Sequence, residues 1–309
     1  MAKNWIPVSL WNHLHTLYSP GMAEKIIRIW EKKRSTTFRV NLLKADIDSV
    51  GAQLRQRSLK CQPADWLHEA FILQNGTEGD LEKLDCYKQG QIYVQSLSSM
   101  IPPLVLAPQP GESVLDIAAA PGSKTTQIGV MMNNQGTILA NEIHPLRLEK
   151  LKYNLQMQGV MIAEVRLGAG EQLGRLFPQK FDAVLLDAPC SGEGRIQKND
   201  ASSWRGWSPQ LVQQSVKTQK KLLISAYAAL RPGGRMVYST CTLNREENEG
   251  VLDEFVRSHP CDVLPIPLAL QPRYRPLLDG VSSKLQHALR ILPSETMEGF
   301  FVCLLQKTE

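Results

Sequence analysis

Asp116-Ile117-Ala118-Ala119-Ala120-Pro121-Gly122-Ser123-Lys124-Thr125-Thr126 is the stretch on which the reading of the fold turns. Residues 113–117 before it make a short apolar strand, and residues 123–132 after it read as a helix. The stretch therefore leaves the end of a strand and opens a helix. Its run of small residues lets a ligand approach the backbone closely. It is not a phosphate-binding Walker loop, because it lacks the upstream glycine and a Gly-Lys pair, and it is not the dinucleotide pattern G-x-G-x-x-G. A nucleoside cofactor other than ATP or NAD is favoured. An ordinary tight turn would account for Gly122 and a capping Ser123, but not for an acid and a lysine placed on either side of it.

Outward from this loop the signals alternate. Strands are expected at residues 137–141, 163–167, 181–187 and 235–239, and helices at 145–158, 209–230 and 245–258. Pro232-Gly233-Gly234 reads as the turn before the strand at 235–239, and residues 299–305 as a late strand completing an edge. Such alternation implies an α/β fold, Rossmann-like, with a mostly parallel sheet and ligands beyond the carboxyl ends of the strands. Before it, residues 92–106 look helical despite Pro102 and Pro103, which must kink or interrupt the helix. Residues 22–30 have the periodicity of an amphipathic helix and residues 38–42 that of a short strand. The domain boundary is placed near residue 90, giving a smaller α/β front domain at 1–90 and the main domain at 91–309.

Three further signals fall at strand ends. Glu142 closes the strand after the small-residue loop, where a carboxylate can accept hydrogen bonds from both hydroxyls of a ribose. Asp187-Ala188-Pro189-Cys190-Ser191-Gly192-Glu193-Gly194 follows an apolar strand, and Ser239-Thr240-Cys241-Thr242 follows another. A structural cysteine usually sits inside an element as a small hydrophobe, whereas Cys190 and Cys241 both emerge on the face of the cofactor loop. Cys61, Cys86, Cys261 and Cys303 lack such surroundings and read as packing residues.

Two thiols, a carboxylate and a nucleoside cofactor suit one reaction in particular. Cytosine C5 is a poor nucleophile until a thiolate adds at C6 and pushes electron density to C5, where an electrophilic methyl group can be attacked. A proton then leaves C5 and the thiol is eliminated. A carboxylate such as Asp187 can hydrogen-bond the N3 and amino edge as the ring becomes enamine-like. Spacing alone does not say which thiol attacks.

At these residues the chain resembles the Sun family of RNA cytosine-5 methyltransferases, and most closely the bacterial members that modify small-subunit ribosomal RNA. The resemblance rests on residues 116–127, 187–194 and 239–249, the last ending in Asn244-Arg245-Glu246-Glu247-Asn248-Glu249, together with Arg39-Val40-Asn41 and Tyr93-Val94-Gln95. It implies that Ala118, Ala119, Ala120, Pro121, Gly122, Ser123, Lys124, Glu142 and Asp187 contact S-adenosylmethionine. It also implies that Cys241 is the nucleophile and that Cys190 assists release of the methylated RNA, with Asp187 beside them. The thiol of Pro189-Cys190 is the one that DNA cytosine methyltransferases would use, so the resemblance reverses the simplest choice. One departure stands out: members of the family commonly carry an Asp near the adenine where this chain has Ala169. One lost hydrogen bond there weakens cofactor binding by about 0.5 to 1.5 kcal/mol unless Glu171 or a backbone group substitutes.

Bulk properties set the frame. The 309 residues are 43% hydrophobic and 21% charged, the balance of a globular chain. Residues 1–60 carry eleven Lys or Arg against four acids, leaving 24 bases and 26 acids elsewhere, so the net charge of +5 sits at the front. Lys32-Lys33-Arg34 and Arg39 there are candidates to neutralise RNA phosphates. Trp204, Arg205 and Trp207 either clamp nucleotides or pack a loop. The cysteines lack zinc spacing, so no metal is expected, and the absence of a signal-like or membrane-spanning run suggests a cytoplasmic monomer. The expected partner is RNA, ribosomal RNA first and transfer RNA as the alternative acceptor, with the target cytosine unpaired or flipped. With no extension after Glu309, substrate choice is expected to rest on the front domain and the rim of the site. Two other classes compete: a noncatalytic RNA-binding or ribosome-assembly factor, suggested by Ala169 and opposed by both thiols and Lys124, and a DNA cytosine methyltransferase, opposed by the Thr-Cys thiol.

Overall fold

The computed structural model describes residues 5–266 and 282–308. In chain order the elements are α1 (Val8–Leu17), α2 (Pro20–Trp30), β1 (Thr37–Val40), α3 (Ile47–Gln56), β2 (Cys61–Ala64) and β3 (Leu67–Leu73). Then come α4 (Glu78–Glu82), α5 (Asp85–Lys88), β4 (Ile92–Val94), α6 (Leu97–Leu106), β5 (Ser113–Asp116), α7 (Ser123–Met131), β6 (Thr137–Glu142) and α8 (Pro145–Gln158). The chain continues through β7 (Ala163–Leu167), α9 (Leu173–Leu176), β8 (Phe181–Asp187), α10 (Pro209–Ala229) and β9 (Leu230–Thr240). Last are α11 (Val251–Ser258), β10 (Cys261–Leu264), β11 (Leu289–Ile291) and β12 (Phe300–Lys307).

The large sheet runs β10-β12-β9-β8-β5-β6-β7, with β11 also paired to β12. From β9 to β7 neighbouring strands are parallel, while β12 lies antiparallel against β9. A parallel strand covered on both faces needs apolar side chains in succession, and β8 supplies them. Its Val184 and Leu186 enter the core beneath α10 and α11, with Leu222, Leu223, Val251 and Leu252. Its Ala183 and Leu185 enter the opposite core beneath α6, α7 and α8, with Ile101, Ile128 and Leu151. The chain passes from β5 outward to β6 and β7, then returns to lay β8 on the other side of β5. The loops after β5 and β8 therefore diverge at their carboxyl ends, which opens a crevice at this switch point.

The first ninety or so residues form two pieces. The antiparallel sheet β2-β3-β1-β4 buries Phe38, Val40 and Ile92 against Val50 and Leu54 of α3. Helix α3 begins where the Asp46 side chain accepts a hydrogen bond from the Ser49 N–H. The α1–α2 pair packs instead onto the main body, burying Leu10, Leu14, Ile27 and Trp30 with Ile196, Trp207, Val212 and Leu243. Those four partners lie in or just beyond the segments that follow β8 and β9, so the N-terminal helices brace the loops that carry the two candidate thiols.

Four sequence expectations shift. Residues 92–94 are a strand rather than the start of a helix, and α6 begins only at Leu97, where the Ser96 side chain caps it. Pro102 and Pro103 lie inside α6. Pro103 cannot donate to the Ser99 carbonyl, and Gln95 Nε2 takes that acceptor at 3.1 Å. Pro232-Gly233-Gly234 is an irregularity within β9, where the register against β8 shifts, not a turn preceding the strand. Finally β12 is not an edge, because β10 and β11 pair along its outer side.

Candidate active site

The cofactor-type loop is built from tight local geometry. After β5, the Ala119 N–H donates to the Asn141 carbonyl at 2.9 Å and the Gly122 N–H donates to the Ala119 carbonyl at 2.8 Å. Gly122 then opens α7 with φ +108°, a conformation that excludes most side chains, and a Cβ there would sit 3.0 Å from Leu151. Ala119 and Ala120 are buried, Ala118 and Ser123 half-buried, and Pro121 exposed. Asp116 is fully buried below the loop and accepts a hydrogen bond from Thr125 Oγ1 at 2.7 Å. Burial pushes its carboxyl up to about 7.

Lys124, one residue into α7, is joined to Asp187 at the end of β8. Its Nζ lies 2.7 Å from Asp187 Oδ2 and donates to Ser99 Oγ at 2.7 Å. The other Asp187 oxygen accepts from Ser239 Oγ at 2.8 Å. One carboxylate thus ties the ends of β8 and β9 to the start of α7. Glu142, 2% exposed in its side chain, turns Oε1 toward the backbone N–H groups of Ile143 and His144, both at 2.9 Å. Its Oε2 has Arg147 at 3.6 Å. Ala169 is half-buried at the start of a single turn, Gly170–Gln172, with exposed Glu171 next to it.

The thiols meet. Cys190 Sγ and Cys241 Sγ are 3.2 Å apart, brought from strand ends 51 residues distant in the chain. Cys190 is held well above the usual thiol range, first by its hydrogen bond to Cys241 and then by burial. Cys61 is partly exposed, whereas Cys86, Cys261 and Cys303 are buried and free. Burial pushes Cys61 and Cys261 up to about 11 and holds Cys303 above the usual thiol range, as expected of packing cysteines.

Around the thiols stand residues that sequence reasoning passed over. The Arg195 guanidinium is raised above its ordinary value chiefly by Cys241 beside it. Its neighbour Gly194 donates its N–H to the Cys241 carbonyl at 3.0 Å. Beneath lie two buried carboxyls, Glu193 and Glu247, each pushed up to about 7 by burial. Glu193 accepts from Asn244 Nδ2 at 3.0 Å and Trp207 Nε1 at 3.1 Å, and His13 of α1 reaches Asn244 at 2.9 Å. The one available sequence signal was the acidic tail of residues 244–249; His13 lies 231 residues from Asn244 and offered none.

One candidate RNA contact is corrected, and an open alternative is decided. Arg39 is 1% exposed and spends its guanidinium on Gln95 Oε1 at 2.9 Å and Thr126 Oγ1 at 2.7 Å, locking β1 to α7 rather than facing phosphates. Trp207 is buried, and Trp204 packs edge-on against Trp5 at 5.7 Å, so both tryptophans pack the loop, with Arg205 exposed over Trp204. Of the basic cluster, Lys32 pairs with Glu295, and Arg34 lies 3.3 Å from Glu298. Among the described residues no cluster of three His, Cys, Asp or Glu could hold a metal, and no helix is long and apolar enough to cross a membrane.

Comparison with known proteins identifies a family. The family described as 16S rRNA methyltransferase RsmB/F matches residues 103–306. Ribosomal RNA small subunit methyltransferase F of Cronobacter sakazakii is 38% identical over 296 residues, covering 93% of this chain and 60% of that protein. The protein of the same name from Klebsiella pneumoniae is 40% identical, covering 88% and 57%. The chain thus spans 57 to 60% of the length of these curated relatives. A solved structure described as a methyltransferase homolog protein from Pyrococcus horikoshii is 31% identical, with a TM-score of 0.83, covering 96% of this chain and 93% of that one. A second, described as NSun6 from Pyrococcus horikoshii with SFG, is 22% identical with a TM-score of 0.87, covering 98% and 99%, and shares the fold.

Proposed function

The chain belongs to the 16S rRNA methyltransferase RsmB/F family, and on that premise we propose that it methylates C5 of a cytosine in ribosomal RNA, in the cytoplasm, with S-adenosylmethionine as methyl donor. The observation that carries this reading is the thiol pair, 3.2 Å apart, beside a carboxylate anchored by lysine.

The residues present suit the donor. Ala118, Ala119, Ala120, Pro121, Gly122 and Ser123 form a close-approach loop, Glu142 keeps Oε2 for a ribose diol, and Lys124 with Asp187 supplies a fixed ion pair at the mouth. S-adenosylmethionine supplies an electrophilic methyl group on a sulfonium. Ala169 offers no side-chain acceptor to the adenine, so affinity rests on the other contacts.

Cys241 is the nucleophile toward C6, with Arg195 available to favour its thiolate. Asp187, held by Lys124 and Ser239, is oriented to hydrogen-bond the amino edge of the cytosine. Cys190 keeps its proton while Cys241 is a thiolate beside it. Once Cys241 is bonded to carbon, that charge and hydrogen bond vanish, and Cys190 relaxes toward the ordinary thiol range. It can then give its own proton to solvent and, as a thiolate, accept the C5 proton as the C6–S bond to Cys241 breaks. The target base must be out of its stack for this geometry to be reached.

The test is methyl transfer from labelled S-adenosylmethionine to ribosomal RNA, transfer RNA and duplex DNA in parallel. Incorporation at cytosine C5 of ribosomal RNA supports the proposal. Incorporation only into transfer RNA or DNA, or binding of RNA without incorporation, sinks it. Bisulfite sequencing of RNA from a deletion strain would identify the nucleotide.

A further inference from the structure

The two loops that carry the thiols are fastened to each other by a reciprocal pair of acids. From the Cys241 side, Glu247 reaches Ser191, the neighbour of Cys190. Its Oε1 accepts the Ser191 N–H at 2.8 Å, and its Oε2 accepts the Ser191 hydroxyl. From the Cys190 side, Glu193 accepts Asn244 Nδ2 at 3.0 Å. Ser191 Oγ and Thr242 Oγ1, one residue beyond each thiol, are 2.9 Å apart. Gln219 of α10 donates to both Glu247 Oε1 at 3.1 Å and the Pro189 carbonyl at 2.9 Å, closing the frame from below. Burying an acid is costly unless its oxygens are well used; Glu247 uses both of its oxygens on the Cys190 loop, whereas Glu193 receives its hydrogen bonds on Oε1.

We propose that Glu247 is a positioning residue for the thiol pair: by gripping Ser191 through two oxygens it holds Cys190 at the distance from Cys241 that the release step requires. This rests on the functional reading above for the identity of that step, but the grip itself does not. Cys241 directly follows the end of β9, which is held by its pairing to β8 and β12 and not by Glu247. Cys190 sits on a loop, between Pro189 and Ser191, whose place depends on the grip. Attack by Cys241 survives loss of the carboxylate, and release by Cys190 lags.

The test uses the full chain with Glu247→Gln, and with Ser191→Ala as a second, milder variant that removes one hydroxyl. The first readout needs no RNA. Diamide, a diazene oxidant, takes two electrons and two protons from the thiols as one S–S bond forms between Cys190 and Cys241, and peptide mapping follows the rate. Glu247→Gln should slow this closure by about tenfold, the scale expected for losing hydrogen bonds to a charged acceptor, and Ser191→Ala should slow it less. The second readout is a denaturing gel after incubation with S-adenosylmethionine and ribosomal RNA. Here Glu247→Gln should accumulate a covalent protein–RNA adduct that the unaltered chain does not. An unchanged closure rate in Glu247→Gln overturns the proposal, and if that variant does not fold, an unchanged rate in Ser191→Ala does so. Slowed closure without an adduct, with attack and release falling together, overturns the assignment to release. Slowed closure in the variants, combined with no RNA methylation by the unaltered chain, supports the grip and refutes the functional reading instead.

Discussion

Replacing Gly194 by alanine should do disproportionate damage, and Gly192 two residues earlier is its internal control. A Cβ on Gly194 would lie 1.8 Å from the Gly299 carbonyl oxygen and 2.5 Å from the carbonyl carbon, both backbone atoms that no rotamer change can move. The same residue donates its N–H to the Cys241 carbonyl at 3.0 Å and accepts the Gly299 N–H at 3.0 Å. Relieving the clash must separate the Cys190 loop from the residue leading into β12, and both hydrogen bonds stretch with it. At about 1 kcal/mol for each hydrogen bond and 1–3 kcal/mol for overpacking, Gly194→Ala should cost about 3–5 kcal/mol. Gly192 has φ +75° but open space around its would-be Cβ, so Gly192→Ala carries only the strain of a left-handed alanine, about 1 kcal/mol. Urea unfolding of the three proteins measures both, and methyl transfer should fall much further in Gly194→Ala because Cys241 is displaced. If Gly194→Ala proved as stable as Gly192→Ala, the packing of the thiol loop against Gly299 would be wrong.

Other consequences follow from the same geometry. Glu142→Gln should weaken S-adenosylmethionine binding by about tenfold or more in calorimetry, since hydrogen bonds to a charged acceptor are the strong ones; unchanged affinity would remove Glu142 from the cofactor site. Lys124→Met strands Asp187 without its cation and should destabilise by about 3 kcal/mol in urea, with part recovered in the double variant carrying Asp187→Asn; no loss would mean the pair at 2.7 Å contributes nothing. Asp116, Glu193 and Glu247 all have carboxyls raised to about 7 by burial. Between their unfolded values and 7 the folded state binds more protons, so their stabilising contribution is complete below about pH 4 and is lost as pH rises through 7. For Glu247 the rise from 4.5 to about 7 corresponds to about 3 kcal/mol. The unfolding midpoint of Glu247→Gln should therefore depend less steeply on pH between 5 and 8, and an identical slope in both proteins would contradict the burial of that charge.

Much of the architecture was legible because parallel strands buried on both faces leave unmistakable apolar runs. Residues 181–187 fall where that pattern put them, while the edge strand at 163–167 and the helix at 145–158 fall where their own periodicity put them. What failed had local causes. Three residues are too few for strand and helix periodicity to differ, so β4 merged with α6, and the prolines of α6 gave no clean break because Gln95 serves the carbonyl that Pro103 leaves open. The outer pairing of β12 is a tertiary fact that the pattern of residues 299–305 does not contain. At the site, the strand-end residues could be found because each strand announces its end, and the fold brings Cys190, Cys241, Asp187 and Lys124 together. Arg195 and His13 could not, and Glu193 and Glu247, though inside the quoted motifs, had no role to read, since their meaning depends on two loops and a distant helix meeting. Arg39 misled for the opposite reason: a basic front suggested phosphates, yet its side chain is the bolt between the small sheet and α7.

The proposed chemistry turns on the division of labour between two thiols 3.2 Å apart. Incubating the unaltered chain, Cys241→Ala and Cys190→Ala with labelled S-adenosylmethionine and ribosomal RNA, then reading incorporation and adducts on a denaturing gel, measures it directly. Turnover by the unaltered chain, none by Cys241→Ala, and a trapped protein–RNA adduct in Cys190→Ala is the predicted result. An adduct in Cys241→Ala instead, or full turnover by either variant, would contradict it.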